Sequence, residues 1–252
     1  MMQLEIQGFL YILARITAFI TVVPGFSHKA LPNTSKVFFS LILSLLVYFR
    51  APEVLVYEET VLFVLAVSRE VVIGLTMGYM AKLIFTAVEM AGQLIDFQVG
   101  YSMGAVYDPM SGSTSSYYGS LFYWMSIMVF FMMNLHHTLL TAVMDSFQIA
   151  LPGQLGLSGI NLQGILFLFS HSFKIAFSIA APMLIVLLVV DIVMGLISRS
   201  VPQINVFMLG MPLKSLLGMV LFLFLASSFM NHGGKTLALL TEYMGKAVEM
   251  FR

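Results

Sequence analysis

Long apolar segments follow one another along almost the whole chain of 252 residues, with only short polar breaks between them. In a bilayer core every backbone N–H and C=O group must be satisfied within the protein, so such segments form helices. The sequence therefore predicts an all-α fold of the polytopic membrane type, built from helical hairpins with broken helices. Helices are predicted at residues 9–23, 37–49, 54 to about 104, 121–144, 165–197 and 206–230, with an amphipathic tail at 235–252.

Composition supports a membrane protein and excludes several other classes. Hydrophobic residues make up 60% of the chain and charged residues 10%, whereas soluble domains hold about one-quarter charged residues. The net charge is zero, so nothing indicates nucleic-acid binding. There is no cysteine, and no nucleophile, P-loop or dinucleotide motif is present. We therefore expect no catalytic residues, no metal site and no cofactor.

Ionisable side chains inside the apolar segments are the chain's most informative polar feature. Each would cost roughly 2.5–3.5 kcal/mol at a bilayer centre facing lipid. They must therefore pair, face water or lie outside the hydrocarbon. The ten are Arg15, Arg69, Glu70, Lys82, Glu89, Asp96, Lys174, Asp191, Arg199 and Lys214.

The third predicted helix concentrates charges and glycines on one side. With about 100° between successive helical residues, three charges, an amide and four glycines fall within an arc of about 100°. This arc, the seam, is either an interhelical contact whose charges find partners or a face toward a neighbouring subunit or a wet channel. Its residues are Gly74, Gly78, Lys82, Glu89, Gly92, Gln93, Asp96 and Gly100.

The same helix is too long for a simple span. An unbroken helix over residues 71–103 would be about 50 Å long, against a bilayer core of roughly 30 Å. We expect it to break, at Gly92 or Gly100, or to protrude. Residues 107–120 are rich in Gly and Ser and are predicted to be non-helical.

Three blocks of sequence carry a family resemblance. They are AGQLIDFQVGYSMGAVYDPMSGSTSSYYGSLFYW at 91–124, NLHHTLLTAVMDSFQIALPG at 134–153 and LLVVDIVMGLISRSVPQINVFMLGMPLKSLLG at 187–218. Together, and in this order, they resemble the FliR family, the export-gate proteins of the flagellar type III secretion system. The related injectisome proteins are the nearest rivals, and the DPxxG run at 108–112 favours the flagellar branch.

The resemblance implies an architecture and a set of partners. One copy of a FliR-like protein assembles with FliP and FliQ homologues into a roughly conical complex, next to FlhA-like and FlhB-like export components. Residues 1–165 would form a FliP-like part that includes a lumenal loop at about 104–120. Residues 166–252 would form a FliQ-like hairpin and the amphipathic tail. The expected location is the inner membrane within the flagellar basal body, partly above the bilayer plane, and no nucleic acid is expected as a partner.

The resemblance also implies site residues. The lumenal loop would plug the pore, with gate residues Met103, Gly104, Tyr107, Asp108, Pro109, Met110 and Gly112. The third block carries family residues without assigned roles, which are Asp191, Arg199, Pro202, Gln203, Asn205, Pro212 and Lys214.

The implied mechanism is a passive conduit for unfolded export substrates. An injectisome export-gate homologue remains an alternative. An ion-coupled secondary transporter, in which the intramembrane carboxylates carry protons or ions, is an alternative from another class, and a purely structural scaffold is a third.

Overall fold

The computed structural model describes residues 2–28, 31–50, 54–101, 116–155, 162–201 and 205–249. Within these ranges all regular secondary structure is helical, which confirms the predicted all-α fold. Its helices are α1 (Met2–Val22), α2 (Asn33–Tyr48), α3 (Thr60–Val99), α4 (Tyr117–Met132), α5 (Leu135–Ile149), α6 (Leu162–Ser200) and α7 (Val206–Glu249).

Three helices of the described chain are long and apolar enough to cross a membrane. These are α3, the Leu166–Ser200 part of α6 and the Met208–Met230 part of α7. Helices α4 and α5 are bent by 75° at the break between them, and they add a fourth span if they are counted as one. Length and composition thus support a polytopic membrane protein.

Helix α3 is unbroken over 40 residues, which corresponds to about 60 Å. Of the two predicted break positions, Gly92 lies within the unbroken helix, whereas the helix ends at Val99, directly before Gly100. Gly100 has a left-handed φ of 103°, and the Tyr101 N–H donates to the Asp96 carbonyl oxygen at 3.0 Å. This six-to-one hydrogen bond is typical of a Schellman-type helix end, where glycine adopts positive φ without steric cost.

The predicted helix boundaries are wrong in the region of α4 and α5, and the predicted segments at 206–230 and 235–252 are joined in the single helix α7. The single helix expected at 121–144 is divided at Asn134, whose φ of 56° is left-handed, a conformation that asparagine tolerates better than most residues. Residues 117–120, expected to be non-helical, form the first turn of α4. The Ser116 hydroxyl caps this turn by accepting the Gly119 N–H at 2.9 Å, which offsets the low helix propensity of glycine there.

The chain groups into two compact units. The first comprises Met1–Ile84, Phe130–Phe169 and Leu237–Arg252, and the second comprises Phe85–Val129 and Ser170–Thr236. Each unit therefore contains residues from both predicted parts, 1–165 and 166–252. The boundary between residues 165 and 166 falls at the end of the first turn of α6. The division into FliP-like and FliQ-like parts describes architectural likeness rather than contacts, and it stays a prediction.

A fully buried ion pair lies at the centre of the first unit. The Arg15 Nε of α1 donates to the Glu70 Oε2 of α3 at 2.6 Å, and both side chains are 0% exposed. The Glu70 Oε1 also accepts the Gly153 N–H at 3.3 Å. A buried charge is tolerated only with a counter-charge and further hydrogen bonds, and Glu70 has both.

The remaining donors of Arg15 hold the end of α5. Its Nη1 donates to the Ser146 carbonyl oxygen at 3.0 Å and hydroxyl at 3.1 Å, and its Nη2 donates to the Ala150 carbonyl oxygen at 2.8 Å. Its guanidinium lies 4.1 Å from the centroid of the Phe147 ring. Carbonyls at a helix C-terminus lack intrahelical partners and carry partial negative charge, so the arginine caps α5 while it pairs with α3.

Replacing Glu70 with glutamine tests the weight of this pair. The variant leaves Arg15 buried without its counter-ion, and we expect a loss of roughly 3–5 kcal/mol of unfolding free energy. The control is Glu242→Gln, which breaks an exposed i,i+4 pair with Lys246 (2.6 Å) and should cost no more than about 0.5 kcal/mol. Denaturant unfolding in detergent measures the unfolding free energy of both variants. Equal losses in the two variants would contradict a central role of the Arg15–Glu70 pair in stability.

Candidate functional site

The first part of the seam faces α1 within the first unit. A Cβ atom added at Gly74 would collide with the Arg15 carbonyl oxygen, and one added at Gly78 would lie 3.1 Å from the Phe19 carbonyl oxygen. The absence of a side chain at both positions lets the backbones of α1 and α3 approach closely, as small-xxx-small spacing predicts.

The second part of the seam, in the second unit, faces the first turn of α4. A Cβ atom added at Gly92 would collide with the backbone of Tyr118 and Gly119. Any other residue at position 92 would push α4 away from α3. Gly92 thus permits a close helix approach instead of breaking the helix.

Asp96 holds the same turn by hydrogen bonds. Its side chain is almost fully buried, and its two carboxylate oxygens lie 3.2 and 3.1 Å from the Tyr118 nitrogen, whose N–H donates to them. The carboxylate also accepts the Ser116 hydroxyl. Together with the Ser116 cap, Asp96 satisfies N–H groups that a helix N-terminus leaves unpaired and places negative charge where the helix dipole favours it.

The three other polar side chains of the seam lie on a more exposed side of α3. Lys82 and Gln93 are exposed in the isolated chain, and Glu89 is partly exposed. They share this outward side with Tyr79 and Phe97, which are 58% and 73% exposed. The predicted arc therefore has an inner edge of glycines and Asp96 against neighbouring helices, and an outer edge that presents a lysine within a candidate span. Burial of that outer edge by other proteins stays a prediction.

An ion pair from the third sequence block meets the C-terminal end of α3. The Lys214 Nζ of α7 lies 2.7 Å from the Asp191 Oδ1 of α6 and donates to the Gln98 carbonyl oxygen of α3 at 3.2 Å. The Gln98 Nε2 donates to the Asp191 Oδ2 at 2.8 Å. One side chain from each of α6 and α7 therefore engages the last turn of α3, where Lys214 meets unpaired helix carbonyls.

The residues after Val99 also contact α7. The Tyr101 and Ser215 hydroxyls are hydrogen-bonded, and the Tyr101 ring stacks on the Tyr118 ring with centroids 6.1 Å apart. A Cβ atom added at Gly218 of α7 would lie 2.8 Å from the Tyr118 hydroxyl oxygen. The end of α3, the start of α4 and α7 thus meet at one place, which we call the junction.

The other residues of the third block have separate positions. Asn205 is the N-cap of α7, because its Oδ1 accepts the Met208 N–H at 3.2 Å. Arg199 is exposed in the last turn of α6, where a cation favours the helix dipole, and Pro212 lies inside α7. Pro202 and Gln203 lie outside the described residues.

The gate residues predicted from the resemblance lie in 102–115, outside the described residues. These are Met103, Gly104, Tyr107, Asp108, Pro109, Met110 and Gly112. Within the part of the chain that the structure describes, no group of three or more His, Asp or Glu side chains is placed to hold a metal ion.

The sequence patterns did not identify the partners that give these residues their positions. Arg15 and Glu70 stood out as charges in apolar segments, but nothing in a spacing of 55 residues indicated that they pair. Ser116 could have been recognised as a helix cap, since it is a serine directly before an aromatic and apolar run. Gln98 and Tyr118 carried no local signal, because their roles depend on contacts between distant helices.

Asp96→Asn tests the cap on α4. The amide keeps one acceptor but loses the charge and the second acceptor, so we expect the first turn of α4 to open more easily by about 1–2 kcal/mol. Hydrogen exchange at residues 117–120 should then be about tenfold faster or more. The control, Asp145→Asn, changes an exposed aspartate of α5 and should leave exchange at 117–120 unchanged. Unchanged exchange in the Asp96 variant would contradict the capping role.

Comparison with known proteins places the chain in a family. Residues 6–239 match the family model described as "Bacterial export proteins, family 1". The chain is 33% identical over 210 residues to the flagellar biosynthetic protein FliR of Bacillus subtilis (strain 168), covering 82% of this chain and 81% of that protein.

Two further relatives have similar identities. The flagellar biosynthetic protein FliR of Buchnera aphidicola subsp. Acyrthosiphon pisum (strain APS) is 32% identical over 225 residues, which cover 87% of this chain and 85% of the relative. The Yop proteins translocation protein T of Yersinia pestis is 32% identical over 181 residues, which cover 71% and 69%. The resemblance predicted from three sequence blocks is confirmed, and the chain belongs to the bacterial export proteins of family 1.

Proposed function

We propose that the chain is a core subunit of the flagellar type III protein export gate. With FliP and FliQ homologues it would form the conduit for unfolded flagellar proteins, in one copy per complex. The family match over residues 6–239, together with two flagellar relatives at 32–33% identity, is the observation that carries this proposal. The long apolar helices support the membrane location, and energy for export would come from components other than this chain.

Surface chemistry supports a subunit that is surrounded by other proteins. Only 17% of the most apolar window of Leu166–Ser200, and 11% of that of Met208–Met230, is buried within the chain. Lipid could cover such surfaces, but it could not cover Lys82 without a cost of roughly 2.5–3.5 kcal/mol or more. A partner helix with a carboxylate next to Lys82 would pair with the lysine, and its apolar side chains would cover the apolar residues beside it.

The positions of the two buried carboxylates, Glu70 and Asp96, weigh against their use as ion carriers in the transporter alternative. A proton or ion carrier needs a carboxylate that can change its partners during each cycle. Glu70 is instead fully buried against Arg15, and Asp96 accepts hydrogen bonds from Ser116 and Tyr118. Both groups hold helices in place, as a subunit of a larger gate requires.

In the proposed mechanism, the loop predicted at about 104–120 plugs the pore until a substrate enters. Its Met and Tyr side chains would form a soft, adaptable seal, while Gly and Ser would allow it to move aside. The described Ser116 and the first turn of α4 belong to the end of that predicted loop, so Asp96 and Gly92 would position it.

An injectisome export gate is the second candidate. It is favoured by the Yersinia pestis translocation protein T, at 32% identity. Restoration of swimming, rather than of effector secretion, in strains lacking the respective subunit would favour the flagellar assignment.

Partner binding tests the proposed assembly. A tagged chain expressed with FliP and FliQ homologues should purify with both, and the mass of the intact complex should correspond to one copy of this chain. Lys82→Glu should lower the yield of that complex several-fold, because it places like charges together at a partner face. The control is Lys235→Glu, which changes an exposed lysine outside the candidate spans and should have little effect. Purification of the unchanged chain without either homologue would contradict the proposed function.

Deletion of Met110–Ser115 tests the plug. This deletion spares the Ser116 cap on α4, so assembly should persist. We expect resting cells to leak small ions, measured by dye or conductance assays, because the seal is lost while the conduit remains. Replacing the same six residues with a Gly-Ser segment of equal length controls for loop length. An assembled complex that leaks no more than wild type would argue against a plug.

A further inference from the structure

We propose that Asp191 and Lys214 form a latch, through which α6 and α7 hold the C-terminal end of α3 at the junction. Lys214 contacts both other helices, at 2.7 Å to the Asp191 Oδ1 and 3.2 Å to the Gln98 carbonyl oxygen. Gln98 closes the triangle through its own bond to Asp191 at 2.8 Å. The two charged residues are positioning residues, since they act by placing the end of α3.

The chemistry of a helix C-terminus explains why the central group is a lysine. The Gln98 carbonyl lies in the last turn of α3, beyond the reach of the helix's own N–H groups, and the helix dipole gives this end partial negative charge. The Lys214 ammonium supplies a donor and a positive charge to that end, and Asp191 neutralises the lysine. Loss of either charged group therefore disturbs all three helices at this point.

Polar contacts attach the first turns of α7 to α3, and the Met211 side chain also lies near Gly100, 3.7 Å from a Cβ atom added there. The apolar residues around the latch are largely exposed, with Met208 at 71%, Leu209 at 56% and Ile192 at 59%. Beyond the latch, α7 is held by aromatic contacts, since Phe222 lies 5.5 Å from Tyr118 and 5.4 Å from Phe122 between ring centroids. Opening the ion pair would thus release the first turns of α7 and leave the aromatic contacts in place.

Exposure distinguishes this pair from the one in the first unit. The side chains of Lys214 and Asp191 are 18% and 38% exposed, whereas those of Arg15 and Glu70 are 0% exposed. The Arg15–Glu70 pair is therefore enclosed by its own chain, whereas the Lys214–Asp191 pair lies at the surface of its unit, within two candidate membrane spans. We describe the Lys214–Asp191 pair as a latch because it joins segments of three helices through charged and polar contacts.

Loss of the latch would affect the residues that flank segment 102–115. Tyr101 is the last described residue before 102–115, and it bonds to Ser215, which directly follows Lys214. Tyr101 also stacks on Tyr118, the second residue of α4. Both tyrosines thus lie against the turn of α7 that follows Lys214, Tyr101 through Ser215 and Tyr118 beside Gly218. The consequence for export rests on the proposed function, whereas the latch itself rests on these contacts.

Thiol crosslinking tests the latch within the complete export complex in membranes. The chain has no cysteine, so Tyr101→Cys with Ser215→Cys gives a single reactive pair. With a short bis-maleimide this pair should crosslink efficiently when Lys214 is present. In the Lys214→Met background the yield should fall at least about fivefold, which corresponds to roughly 1 kcal/mol. Lys214→Arg should restore most of it.

Two controls make the result decisive. Lys235→Met removes another exposed lysine of α7 and should leave the crosslink unchanged. A second pair, Tyr118→Cys with Gly218→Cys, reports on the approach of α4 to α7 while Phe122 and Phe222 stay in contact, and it should crosslink equally with and without Lys214. An unchanged 101–215 yield in Lys214→Met would overturn the latch, and so would an equal fall at both pairs, which would indicate general loss of packing. This readout is independent of leakage in the loop deletion, so failure of the latch and failure of the proposed plug are distinguishable.

Discussion

The buried ion pair between Arg15 and Glu70 is the interaction on which the first unit depends. It joins α1 to α3, and the other donors of the same guanidinium hold the carbonyl end of α5. Water cannot solvate a charge that is 0% exposed. These helices can therefore adopt only arrangements that keep the ion pair intact. Gly74 completes the constraint, because it lets the Arg15 backbone lie directly against α3.

In the second unit, charged side chains also bind helix ends, and the ion pair of Lys214 and Asp191 is partly exposed. Asp96 caps α4, and Lys214 meets the end of α3 and Asp191, so each charge is matched to a helix terminus of opposite sign. Helix ends are the places where a membrane protein leaves backbone groups unsatisfied. Arg15, Asp96 and Lys214 thus satisfy backbone groups at helix ends of this chain.

Sequence patterns were most reliable where the physics is local. Apolar length predicted the helices, and the glycine spacing of α3 predicted close approach, because both depend on periodicity alone. They were least reliable where distant segments decide the outcome. The division at Asn134 depends on one left-handed residue, and the start of α4 at Tyr117 depends on Asp96 lying 20 residues before Ser116. The contacts among Gln98, Asp191 and Lys214 join positions up to 116 residues apart, which no periodicity can reveal.

The unbroken length of α3 has a consequence for how the chain reaches its final location. A rod of about 60 Å exceeds the hydrocarbon core by about 30 Å, and each ångström of mismatch costs a fraction of a kcal/mol. Tilt can absorb only part of such an excess, so a solitary chain would either thicken the bilayer around it or expose apolar turns to water. Enclosure by other proteins would remove both penalties, so the length of α3 would favour association of the inserted chain even without a specific contact.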